Sequence, residues 1–107
     1  MVVIVTESWW PATRSAEVAK LYLETMKKYP DDNSVAKRVG LGAIWAVKEG
    51  MHNITIYSIK PGKIKEAMDL STKRLLMLSS IEGFKYQINI AYDVVEAMPL
   101  VGQKYTE

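Results

Sequence analysis

Residues 36–60, AKRVGLGAIWAVKEGMHNITIYSIK, carry the decisive pattern of this chain. Residues 36–48 read as one long strand and 53–60 as a second, with Glu49 and Gly50 supplying the turn chemistry of a hairpin and Pro61-Gly62 closing it. Outward from this hairpin, residues 84–94 alternate strictly, Phe84, Tyr86, Ile88, Ile90, Tyr92 and Val94 against Lys85, Gln87, Asn89, Ala91 and Asp93, which predicts a further strand. Residues 2–10 are apolar and β-branched up to Pro11, as in a buried strand. Two amphipathic stretches separate these strands. Over 16–29, Val18, Leu21, Tyr22, Met26 and Tyr29 recur at helical spacing, with Thr13 or Ser15 as N-cap and Pro30 as the stop. Over 63–82, Ile64, Ala67, Met68, Ser71, Leu75 and Leu78 form one stripe, and Gly83 follows as a C-terminal cap. The order is strand, helix, strand, strand, helix, strand.

Right-handed crossovers put both helices on one face of a four-stranded antiparallel sheet and leave the other face bare. The strand over 36–48 falls at a sheet edge, yet has no charge or proline between Val39 and Val47 to discourage pairing. Together with the apolar bare face and the long hairpin, this makes the chain resemble the dimeric α+β-barrel superfamily, whose small ferredoxin-like subunits face each other sheet to sheet across a shared cavity. The resemblance covers nearly all of residues 1–107 and implies an α+β ferredoxin-like βαββαβ domain that pairs with a second copy of itself. Residues 95–107 are expected to form an extended arm docked on the partner, because Met98, Leu100, Val101 and Tyr105 are too apolar for a free end and Pro99 opposes a helix.

With 107 residues, 49% of them hydrophobic and 24% charged, the chain has the make-up of one ordinary soluble domain. Fourteen Lys and Arg against twelve Asp and Glu are scattered along it, so no nucleic-acid or membrane partner is expected. The absence of Cys excludes disulfides, thiolate metal sites and thiol catalysis. The N-terminal stretch lacks a basic segment ahead of its apolar run, and a cytoplasmic location is expected.

Familiar motifs fail on inspection. Gly40-Leu41-Gly42 has Trp45 where a dinucleotide fingerprint needs its third glycine, and Gly62-Lys63 is followed by Ile64 where a phosphate loop needs Ser or Thr. Asn53-Ile54-Thr55 is a formal glycosylation sequon without a secretory signal. Asp31 and Asp32 supply too few oxygens for calcium, so no metal is expected. Lys60, Lys63 and Lys65 gather at a helix start that could attract an anion but lacks a phosphate-binding backbone. His52, the lone imidazole, sits beside the hairpin turn and reads as a solvated loop residue, or else as a lone acid or base.

The tryptophans and the parity of the strands lead to a site. Trp45 shares parity with Val39, Leu41 and Val47 and reads as core under a helix. Glu7 shares parity with Val3, Val5 and Trp9, and a carboxylate is costly under a helix layer, so these four are assigned to the bare face. Placing polar tips outward adds Thr55, Tyr57 and Ile59, then Lys85, Gln87, Asn89 and Ala91, and finally Gly40, Gly42, Ile44 and Ala46. The expected ligand-binding set is Glu7, Trp9, Gly42, Ile44, Tyr57, Lys85, Gln87 and Asn89, taking a small, largely apolar organic compound, an aromatic or aliphatic acid among the options. No cofactor is implied. Two alternatives stand beside a binding protein. The resembling superfamily includes cofactor-independent monooxygenases and isomerases, which would make Glu7 a candidate base, His52 a second candidate, and Asn89 or Gln87 the stabiliser of developing charge. A purely structural or regulatory oligomerisation module is the other.

Overall fold

The computed structural model describes residues 2–105. Strand β1 (Val2–Trp10) leads through a short 3-10 turn (Ala12–Arg14) into helix α1 (Ser15–Lys28). β2 (Ala36–Arg38), β3 (Ala43–Val47) and β4 (Gly50–Ile59) follow, then α2 (Ile64–Leu78), β5 (Lys85–Tyr92) and α3 (Val94–Leu100). The strands form one antiparallel sheet in the order β2-β4-β1-β5, with β3 also paired to β4. The fold is therefore α+β, with five strands and three helices among the described residues.

The fifth strand arises because the expected single strand over 36–48 is broken. Arg38 pairs with Tyr57 but Ala43 pairs with Ile54, so residues 39–42 hold two more residues than the partner segment opposite. Gly40 and Gly42 turn this bulge with φ of 71° and 86°, a region that costs other residues strain. Val39 keeps one rung, its N–H donating to the Ile56 carbonyl at 2.8 Å.

Residues directly opposite in an antiparallel pair point to the same face, so the register fixes every side chain. On β1, Ile4, Thr6, Ser8 and Trp10 are buried and face the helices, which leaves Val3, Val5, Glu7 and Trp9 on the bare face as expected. Lys85, Gln87, Asn89 and Ala91 of β5 join them, also as expected. The assignment fails on the other half of the sheet. Tyr57 pairs with Ile4 and Thr55 with Thr6, so Thr55, Tyr57 and Ile59 lie under the helices. Ile44 and Ala46 pair with Asn53 and Met51 on that same side, while Trp45 pairs with His52 on the bare face. The bulge contains an even number of extra residues, so β2 and β3 keep one parity, and their pairing with β4 puts the even-numbered residues of both on the helix side.

Two apolar clusters hold the layers. Trp10, Val18, Leu75, Leu78, Ile81 and Phe84 form one, with the Trp10 and Phe84 rings stacked at 6.1 Å. Ile4, Ala36, Tyr57, Ile59 and Ala67 form the other, and Ile88 packs against both. The helix ends differ in detail from the expected ones. Ser15 does not cap α1, since its Oγ accepts from Trp10 Nε1 at 3.1 Å. α2 stops at Leu78, where the Ser79 and Ser80 hydroxyls donate to the carbonyls of Leu76 and Met77, the local competition that makes serine a poor helix continuer.

Over residues 95–100 the expected extended arm is corrected to a helix. Asp93 accepts from the Glu96 N–H at 2.8 Å and caps α3, and Pro99 falls near its end, too late to prevent the first turn. Residues 106 and 107 of that arm lie outside the described residues. Among the described residues, no helix is long and apolar enough to cross a membrane.

Candidate functional site

Between α1, α2 and the β3–β4 side of the sheet lies a cavity of about 700 Å³. Val18, Met26, Leu75 and Leu78 wall it from the helices, and Trp10, Met51 and Phe84 from below. Thr6, Ser8, Asn53, Thr55 and Ser71 place small polar groups along it. Tyr22 and Leu23 of α1 stand across from Leu41 and Ile44, and Leu41 is 91% exposed, which marks this side as the mouth. The volume lies within the range of small-molecule sites, roughly 300–1,000 Å³.

One end of the cavity is strongly polar. The Tyr57 hydroxyl donates to Asp31 Oδ1 at 2.9 Å and accepts from Arg38 Nη2 at 2.8 Å and Arg74 Nη1 at 3.1 Å. Arg74 is buried, and its Nε and Nη2 donate to the Tyr29 carbonyl at 2.9 Å and to Asp31 Oδ1 at 3.1 Å. Arg38 meets Asp31 Oδ2 at 3.4 Å and the Tyr22 hydroxyl at 3.4 Å, while its buried Nε has no hydrogen-bond partner among the described residues. Burial opposes the Arg38 charge, but the bond to Tyr22 and the neighbouring oxygens outweigh it and hold its pKa above the ordinary value. Burial likewise pushes the Tyr57 hydroxyl up, against the pull of Arg74, and the bond it donates to Asp31 adds to the rise. Tyr57 is thus a neutral donor at physiological pH.

A second cluster occupies the bare face. His52, far from being a solvated loop residue, lies in β4 between Trp9 and Trp45, with ring centroids at 4.5 and 4.3 Å. Only 14% of its side chain is exposed. Its buried Nε2 has no hydrogen-bond partner among the described residues and stands 3.8 Å from Glu7 Oε1. Trp45 is accordingly not core under a helix. It is 43% exposed and covers His52.

The expected ligand-binding set is therefore divided between two faces. Gly42, Ile44 and Tyr57 line the cavity, whereas Glu7, Trp9, Lys85, Gln87 and Asn89 lie on the opposite side of the sheet. The Glu7 and His52 pair does come together. Arg38, Arg74, Thr6, Ser8 and Ser71 were not anticipated. Their signal was present: Arg74 interrupts the stripe of Ala67, Ser71, Leu75 and Leu78, and a charge at that position requires buried partners. Elsewhere, Asp32 accepts from the Ser34 hydroxyl at 2.6 Å and its N–H at 3.0 Å, which hold its carboxyl below the usual range. Lys65 pairs with Asp69 at 2.7 Å on an exposed turn of α2.

No protein-family model matches the chain, and no curated protein matches it. Among solved structures it is similar to the de novo designed protein Foldit4, with 11% identity and a TM-score of 0.53 over 86% of this chain and 96% of that one. It also aligns with a formyltetrahydrofolate deformylase from Pseudomonas putida KT2440 at 12% identity and a TM-score of 0.43, over 83% of this chain and 28% of that one. A tripeptidase from Staphylococcus aureus subsp. aureus Mu50 aligns at 11% identity and a TM-score of 0.48, over 96% of this chain and 35% of that one. The likeness to Foldit4 is one of fold alone, a mixed α+β chain.

Proposed function

We propose that this chain is a small-molecule-binding protein whose ligand, a small and largely apolar organic compound, lies between the helices and the sheet. The carrying observation is the cavity of about 700 Å³, apolar over most of its wall and open beside Leu41. We read the elements as a ferredoxin-like βαββαβ domain whose second strand is split by the bulge at 39–42, and its bare face as the surface that meets a second copy. Val3, Val5, Ile54, Ile56, Trp9 and Trp45 support that pairing, since a sheet face this apolar is costly to leave in water. Native mass spectrometry of the purified protein with a panel of apolar compounds tests the binding. Wild type is expected to retain a compound that Ser71→Leu, which puts bulk into the cavity, excludes. Failure of every compound to bind would overturn the reading. Sedimentation at micromolar concentration tests the pairing, with a dimer expected for wild type and a monomer for Trp45→Glu.

One observation favours a second, enzymatic reading: the close approach of Glu7 to the His52 Nε2 between two indoles. Such a pair suits proton transfer in the space between two facing sheets. A compound bound against the bare face is expected to be converted to a product visible by NMR, with Glu7→Gln abolishing the conversion, and the absence of any product overturns this reading.

A further inference from the structure

We propose that the compound held in the cavity is a monocarboxylate, its head bound by Arg38 at the polar end and its apolar body lying along α1 and α2. The inference rests on the cavity being the binding site and adds the chemistry of its occupant. Two guanidiniums and one carboxylate meet at this end, so the group formed by Arg38, Arg74 and Asp31 carries one positive charge more than it neutralises. The surplus is not shared equally. Each of the three Arg74 nitrogens makes one short bond, to Tyr29, Tyr57 and Asp31 at 2.9–3.1 Å, and Asp31 Oδ1 also takes the Tyr57 hydroxyl at 2.9 Å. Arg38 is left with one short bond, to Tyr57, with longer approaches at 3.4 Å, and with a buried Nε that donates to nothing among the described residues.

Position completes the argument. Arg38, Arg74 and Tyr57 line the cavity, whereas Asp31 does not. The cationic groups thus face the interior and their carboxylate stands behind them. Arg38 Nη1 makes no approach shorter than 3.4 Å, to the Tyr22 hydroxyl, and a guanidinium nitrogen so weakly engaged is open to the charge-assisted bond that a carboxylate accepts. A neutral head could accept from Nη1 but would leave the surplus charge uncompensated in a site walled by Val18, Leu75 and Leu78.

Octanoate and octanol, which share an apolar body and differ in the head, separate this inference from the reading it rests on. Calorimetric titration should show octanoate binding about ten- to a hundredfold tighter, the usual gain of a charge-assisted hydrogen bond. Arg38→Gln should erase that preference, read as the ratio of the two affinities within the same variant. Arg38→Lys, which keeps the charge but not the fork, should retain only part of it, and circular dichroism checks that both variants fold. Equal affinity of wild type for the two probes overturns the carboxylate and leaves the cavity as a binding site. Binding of neither overturns both. A preference for octanoate that survives in Arg38→Gln, or that keeps its full wild-type size in Arg38→Lys should Arg38→Gln not fold, places the head elsewhere and overturns the role of Arg38.

Discussion

Tyr57 illustrates how a polar side chain is made tolerable inside. Its ring packs with Ile4 and Ile59, while its hydroxyl joins Arg38, Arg74 and Asp31 in one group that ties β2, β4, α2 and the loop after α1 together. Tyr57→Phe keeps the ring and removes the shared oxygen, leaving an Arg74 donor short of a partner. It is expected to destabilise the protein by about 1–3 kcal/mol in urea unfolding. The hydroxyl also predicts a pH dependence. Because folding raises the Tyr57 pKa above its ordinary 10.0, the neutral form is favoured in the native state. Its contribution is fully present below pH 10.0 and is lost as pH rises through the folded value. The difference in stability between wild type and Tyr57→Phe should therefore be constant from pH 7 to 9 and shrink in more alkaline urea titrations, and a difference independent of pH would contradict it.

At the scale of elements, two short features decide what the strands and helices present. Gly42 turns the bulge with φ of 86°, and a Cβ there would stand 3.0 Å from the Ile54 carbonyl oxygen. Gly42→Ala should cost about 1–2 kcal/mol from the left-handed backbone alone, measured by thermal unfolding. Asp93 caps α3, so Asp93→Ala should lower stability by about 1 kcal/mol or less and speed hydrogen exchange at the Glu96 amide that it bonds. These features also explain what was legible in the sequence. Alternation in β5 and the parity of Glu7 and Trp9 located one half of the bare face, because each charge there has water or an open surface to meet. The same reasoning inverted β3 and β4, since it assumed that hydroxyls point outward and that tryptophan points inward. Tyr57 finds partners in three residues distant in sequence, of which Arg74 is buried, and Trp45 finds His52 across the β3–β4 register. Neither depends on local pattern. Ile90 shows a milder form of the same limit: it faces the helix side as expected but is 43% exposed, because β5 is an edge strand.

For the whole molecule, the cavity divides the interior. One apolar cluster gathers around Trp10 and Phe84 and the other around Ile4 and Ile59, bridged by Ile88, while Thr6, Ser8, Thr25 and Ser71 occupy buried positions that aliphatic side chains would fill in a close-packed core. A chain selected only for stability would close this space, and filling an interior gap commonly adds about 0.5–2 kcal/mol. Ser71→Leu brings apolar bulk to the cavity wall and should therefore raise the stability of the protein measured without added compound, by an amount in that range. Octanoate should reverse the order. A ligand that binds only the native state at a hundred times its dissociation constant stabilises it by about 2.7 kcal/mol, which wild type gains and the filled variant does not. Denaturant unfolding of both proteins with and without octanoate is thus expected to show Ser71→Leu ahead in its absence and wild type ahead at saturation. If wild type gains nothing from octanoate, or if the filled variant gains as much, the hollow between the helices and the sheet does not hold the compound.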